Sequence, residues 1–167
     1  LDFGARIATA GDATATVATA EAAPDTLPTL LYEAGGLLVL PGLGGIRDEP
    51  ALLLRLSQLF GPEIEDYSAN LTPAHMVHPE VPQILIVSNV PPVSRQPPKR
   101  PSPPTTADGG LPIQFPHRRG WHSDQSYRRP PPDISLFFAH TPAPPDQGQT
   151  LYADGAGAYD ALPAQLK

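Results

Sequence analysis

Gly120-Trp121-His122-Ser123-Asp124-Gln125-Ser126-Tyr127 is the stretch from which the rest of the chain is read. If it is extended, successive side chains alternate faces, so His122 and Asp124 project from one side and Trp121 and Ser123 from the other. One face then carries an imidazole and a carboxylate within reach of a single ion, and Trp121 is expected to anchor the strand in the core. With one further His, such a pair makes the two-His, one-carboxylate set that leaves open positions on Fe(II) for a co-substrate and O2. Taken alone, the same letters read equally as a solvated turn or a surface hydrogen bond.

The neighbouring sequence bears on that choice. After Trp121-His122-x-Asp124 come a Pro-rich loop, an apolar segment Ile134 to Ala139, a Gly148-Gln149-Thr150-Leu151-Tyr152 segment and an Ala158-Tyr159-Asp160-Ala161-Leu162 helix. This ordered series resembles the taurine dioxygenase (TauD/TfdA-like) family of Fe(II)- and 2-oxoglutarate-dependent oxygenases. Weaker matches lie upstream, at Phe3-Gly4-Ala5-Arg6-Ile7, Leu37 to Leu40, Phe60-Gly61 and His78-Pro79-Glu80.

The resemblance implies a double-stranded β-helix (jelly roll), mainly β with flanking helices. It implies that His122 and Asp124 are iron ligands and that Thr150 hydrogen-bonds the distal carboxylate of 2-oxoglutarate. A hydroxyl suits that task because it donates to a carboxylate without adding charge. The implied reaction oxidises a small organic substrate with Fe(II), 2-oxoglutarate and O2, releasing succinate and CO2. Arg118, Gln125 and Tyr67 are the residues expected on the substrate side. His117, Arg118 and Arg119 either line the mouth and attract an anion or are solvated loop charges. In the family a second His and an Arg complete the site further downstream. Because the chain runs from Leu1 to Lys167, the expectation is a jelly roll incomplete at its C-terminus that does not finish its own iron site. Taurine-cleaving members carry a His shortly after Phe-Gly that holds the sulfonate. Here Pro62-Glu63-Ile64-Glu65-Asp66-Tyr67 follows Phe60-Gly61, without a His and with acidic groups that repel a sulfonate, so taurine is not the expected substrate.

Composition narrows the partners. A length of 167 residues suits a single domain, and 24 prolines demand much loop or extended chain. Eleven basic against 17 acidic residues give a formal charge of -6, which opposes a phosphate backbone and argues against nucleic acid. No cysteine is present, so thiolate metal sites and disulfides are excluded and a reducing, cytoplasmic setting fits. No apolar run is long enough for a membrane span. The expected partner is a small-molecule substrate, with association into a homo-oligomer left open.

Along the chain, residues 1–7 read as a strand and the Ala/Thr-rich residues 8–23 as a flexible surface loop. Thr26 to Ala34 reads as a helix capped by Thr26, and Leu37 to Leu40 as a buried strand. Pro50 to Phe60 is the clearest helix, capped by Asp48 or Glu49, with a stripe of Leu52, Leu56, Leu59 and Phe60 that predicts packing on a sheet. Gln83 to Ser88 reads as a central strand and 91–110 as a Pro-rich inserted loop, polyproline-like over Pro91 to Pro104. Further strands are expected at 121–124, 134–139 and 149–153, then a helix at 156–162. His78 and His140 read as element-boundary residues with satisfied polar tips, and His75 as an ordinary histidine that binds no metal. No Gly-x-Ser-x-Gly elbow or phosphate loop is present. The alternative to an oxygenase is a catalytically silent jelly-roll module that binds a small molecule or a protein, with the Pro-rich loop as its interaction segment.

Overall fold

The computed structural model describes residues 3–88, 107, 121–144 and 150–167. These fall into two units, one of residues 1–65 with 137–167 and one of residues 66–136. The Pro-rich insert, apart from Ala107, and Arg118 lie outside the described residues.

In the first unit, β1 (Ala5–Arg6) and β2 (Leu38–Val39) form a parallel pair in the register Ala5 to Leu38 and Arg6 to Val39. The amides of Ala5 and Ile7 donate to the carbonyls of Leu37 and Val39, each at 2.9 Å. Gly4 is needed at the entrance to β1. Its φ is +85°, and a Cβ there would sit 3.2 Å from Leu37 Cδ2.

Between the strands lie α1 (Ala13–Ala22) and α2 (Thr26–Glu33). The helix α1 occupies the stretch expected to be a flexible loop. Asp12 caps it, its carboxylate accepting from the Ala15 amide at 2.7 Å. Thr16 is buried; its hydroxyl donates to the Asp12 carbonyl at 2.7 Å and accepts from the Ala10 amide at 3.0 Å. Alanine has the highest helix propensity, so few large apolar groups are required once the end is capped. The low hydrophobicity of this stretch therefore marks close helix packing, not disorder.

The partner that makes α1 pack is α3 (Ala51–Gln58), preceded by a short 3-10 helix at Gly44–Arg47. Leu52 and Leu56 of α3 are buried with Val17 and Ala13 of α1 and Ile46 of the 3-10 turn; Leu52 and Val17 have almost no exposed surface. Full burial of each of those two side chains is worth about 1.5–3 kcal/mol. Of the expected stripe, Leu52 and Leu56 are buried, against a helix where a sheet was expected, while Leu59 and Phe60 follow the end of the helix and are only half-buried. Small residues permit the approach: a Cβ on Gly45 would lie 3.2 Å from the Ala13 Cβ. Neither Asp48 nor Glu49 caps α3 through its side chain; the Glu49 carbonyl accepts from the Leu52 amide at 3.0 Å. At the rim, Arg55 makes a two-point contact with Glu21, at 2.8 and 2.6 Å. The helix α2 begins at Thr26, which was expected to cap it; Asp25 stands at the cap position, without a side-chain capping bond, and the helix buries Leu27. Nearer the C-terminus, α4 (Gly155–Asp160) is capped by Asp154, whose carboxylate accepts from the Gly157 amide at 2.9 Å.

In the second unit, two 3-10 turns, Tyr67–Ala69 and Ala74–Met76, lead into an antiparallel pairing. The bridge joins Val77 to Leu85, with His78 N–H donating to the Ile84 carbonyl at 3.0 Å and Ile86 N–H to the Met76 carbonyl at 2.7 Å. The central strand expected at 83–88 is reduced to this bridge. Among the described residues, 121–124, 134–139 and 150–153 form no strand. A strand holds only where another satisfies its amides and carbonyls, and no described segment pairs with these. Pro130, Pro131 and Pro132 also remove three consecutive donors beside them. Ile134, Phe137 and Leu151, apolar enough to suggest strands, are exposed, as is Trp121 at 55%, which was expected in the core. The described residues contain no helix long and apolar enough to cross a membrane.

Leu52→Ala is expected to lower unfolding stability by about 2–5 kcal/mol, and Leu71→Ala, at a fully exposed position, by less than about 0.5 kcal/mol; urea denaturation followed by helical circular dichroism measures both. A second expectation concerns pH. The hydrogen bond from Arg55 holds the Glu21 carboxyl below its ordinary range, so the pair stabilises the fold fully above that range and loses its contribution as pH falls through the lowered value. The stability gap between wild type and Glu21→Gln should accordingly be largest near neutrality and close as the pH falls below the ordinary glutamate range; a gap that widens on acidification would contradict it.

Candidate functional site

Residues 121–129 form a chain reversal made by local contacts. Gln125 adopts φ of +50°, a left-handed conformation that turns the backbone immediately after Asp124. The Arg128 amide donates to the Gln125 carbonyl at 2.9 Å, and the Arg128 guanidinium donates to the Gln125 side-chain oxygen, also at 2.9 Å. Arg129 donates to the carbonyls of Ser126 and Arg128 at 2.9 and 2.8 Å. Both arginines are thereby engaged with their own loop, and Gln125, expected on the substrate side, is half-buried and serves as a partner for Arg128.

This turn brings together the two residues singled out from the sequence. His122 Nε2 lies 3.2 Å from Asp124 Oδ1, with both side chains mostly exposed, at 59% and 69%. The pair comes together on irregular backbone at the entrance to the turn, without the paired strand that was expected. Asp124 also lines an open cleft of about 480 Å³ walled by Ser123, Ser126, Pro131, Pro132, Asp133 and Ser135. Asp133 and Ser135 were missed in the sequence; the triple proline that folds them back beside Asp124 is the signal that marks them. Neither Gln125 nor Tyr67 belongs to that wall. Among the described residues, no group of three or more His, Asp and Glu gathers in a way that could hold a metal.

The other expected site residues lie elsewhere. Tyr67 is half-buried and its amide donates to the Pro82 carbonyl at 3.0 Å. Thr150 is exposed on irregular backbone in the first unit. His78 and His140 do have partners at their polar tips. His78 Nδ1 accepts from the amides of Glu80 and Val81 at 3.3 and 3.2 Å. The His140 ring lies 3.3 Å from the Thr141 hydroxyl and edge-on to Phe138, while the His140 carbonyl accepts from Arg47 Nε at 3.1 Å and from Nη2.

The placement of Trp-His-x-Asp ahead of the prolines and α4 can be compared with known proteins. The sequence profile described as taurine catabolism dioxygenase TauD, TfdA family matches residues 3–167. No curated protein and no solved structure gives a significant match. A match over nearly the whole length, containing the His122 and Asp124 pair, decides the classification: this chain belongs to the TauD, TfdA family of dioxygenases.

Proposed function

We propose that this chain acts as an Fe(II)- and 2-oxoglutarate-dependent dioxygenase that oxidises a small organic substrate, on the family's double-stranded β-helix. The observation that carries this is the separation of His122 Nε2 and Asp124 Oδ1, 3.2 Å, in a chain matched to the family from residue 3 to residue 167. Two adjacent ligands of an octahedral divalent ion with bonds of about 2.1 Å stand about 3 Å apart, so the two atoms are already spaced as neighbours on one ion. An imidazole and a carboxylate are also the donor types that suit Fe(II) with open positions. These two donors fit the ion as part of its ligand set, and among the described residues no third one joins them.

His122 would bind through Nε2 as the neutral imidazole and Asp124 as the carboxylate. The left-handed Gln125 and its hydrogen bonds to Arg128 hold the turn that sets their spacing, a supporting role that such outer contacts commonly play. Thr150 would donate its hydroxyl to the distal carboxylate of 2-oxoglutarate. Arg118 would draw in an anionic substrate group. Bound iron, with 2-oxoglutarate and O2, supplies the oxidising chemistry, the co-substrate leaving as succinate and CO2. The cleft beside Asp124 offers hydroxyls and prolines to a small substrate. A reducing, cytoplasmic setting is part of this proposal and rests on a sequence without cysteine.

In a version of the protein that carries the family's complete ligand set, His122→Ala and Asp124→Ala should each reduce Fe(II) retention in anaerobic dialysis by at least about tenfold and abolish iron-dependent succinate release, while His140→Ala leaves both largely intact. Equal damage from His140→Ala would reassign the ligands, and the absence of succinate release from that folded version would favour the silent binding module. In a substrate panel, taurine should release sulfite more slowly than non-sulfonate substrates are oxidised, because Glu63, Glu65 and Asp66 follow Phe60-Gly61 where a sulfonate-binding His would be needed. Preferential sulfite release would overturn that expectation.

A further inference from the structure

The second unit contains a cleft that the oxygenase reading does not use. It has a volume of about 290 Å³ and is walled by Ser68, Thr72, Ala74, Val77, His78, Pro79 and Pro82. Its walls are tied together by the Tyr67 amide, which donates to the Pro82 carbonyl. Each of its three polar side chains has its donor or acceptor role assigned by backbone amides, which can only donate.

His78 Nδ1 receives the amides of Glu80 and Val81, so Nδ1 carries no proton and the neutral ring bears its hydrogen on Nε2. The far side of the ring is therefore a donor. Asp66 Oδ1 receives the Ser68 amide at 2.9 Å and lies 2.6 Å from the Ser68 hydroxyl. The Ser68 hydrogen bonds also hold the Asp66 carboxyl below the usual range, so it is ionised near neutrality and can only accept. The Ser68 hydrogen is spent on Asp66, and its oxygen is left with lone pairs. The same logic applies at Thr72. Its amide donates to Asn70 Oδ1 at 2.8 Å, which identifies that atom as the oxygen, and its hydroxyl must then donate to the same atom. The cleft thus presents one N–H donor and two hydroxyl acceptors over a floor of proline, alanine and valine.

We infer that this cleft binds the neutral amide group of a small molecule, its carbonyl oxygen accepting from His78 Nε2 and its N–H groups donating to Ser68 Oγ and Thr72 Oγ1, with the apolar remainder on Pro79 and Pro82. A carboxylate matches the pattern poorly. It has no hydrogen to offer the two oxygens, and the ionised Asp66 stands directly behind one of them. An ammonium group has nothing to accept the His78 hydrogen.

The test uses the ¹⁵N-labelled 167-residue chain and three probes of nearly equal shape: propionamide, propionate and propylammonium. Propionamide should give saturable shifts confined to the amides of residues 66–86, with millimolar affinity as befits so few atoms, and the two ions should bind at least fivefold more weakly. His78→Asn retains an oxygen to receive the Glu80 and Val81 amides but draws the outward N–H back from the position of Nε2, and it should weaken propionamide at least fivefold. Thr72→Val, which leaves the His78 contacts untouched, should do the same and stands in if His78→Asn disturbs the fold. Equal or tighter binding of either ion, no saturable shift with propionamide, or full affinity in Thr72→Val would overturn the assignment.

Discussion

The seating of α1 on α3 is the contact on which the first unit depends. Most large side chains near it are only partly buried, so the nearly complete burial of Val17 and Leu52, with Leu56, Ala13 and Ile46 around them, supplies much of what offsets the entropy of ordering both helices. That seating requires small groups: alanines along α1 and glycine at 45 let the backbones approach to a distance that larger side chains would forbid. It also requires that α1 exist before it packs, which the Asp12 cap and the Thr16 contacts with Ala10 and Asp12 promote. The parallel pair β1 and β2 is short and follows from where the helices deliver its two ends.

In the second unit the organising agent is the backbone amide. With little regular secondary structure to absorb them, amide hydrogens in residues 66–81 are satisfied by side chains: Asp66 takes that of Ser68, Asn70 that of Thr72, and His78 those of Glu80 and Val81. The benefit is mutual. An amide that finds an acceptor fixes a turn, and the acceptor so used is left in one protonation or tautomeric state. Loop geometry and local chemistry are in this way the same set of contacts.

The candidate iron ligands follow a related rule. A two-residue spacing places side chains on one face of a strand, but it also places them together across a tight turn, and the left-handed Gln125 with the triple proline downstream favours the turn. The arginines that follow are occupied with Gln125 and with carbonyls of their own loop, so they brace the loop that carries the pair.

Membership of the TauD, TfdA family was legible in the sequence, because an ordered series from Trp121-His122-x-Asp124 to the Ala158–Leu162 helix is a linear pattern that needs no coordinates. The helices α2, α3 and α4 were legible for a similar reason, since prolines and apolar spacing act within a few residues of one another, although the caps expected for α2 and α3 were not the ones formed. Helix α1 was not, since Ala and Thr look like loop composition until a distant segment supplies the surface that Val17 buries. The direction of the α3 stripe, the reduction of 83–88 to one bridge and the exposure of Trp121 were likewise decided by tertiary structure. Periodicity reports that a face is apolar, and only the rest of the fold determines what, if anything, comes to cover it.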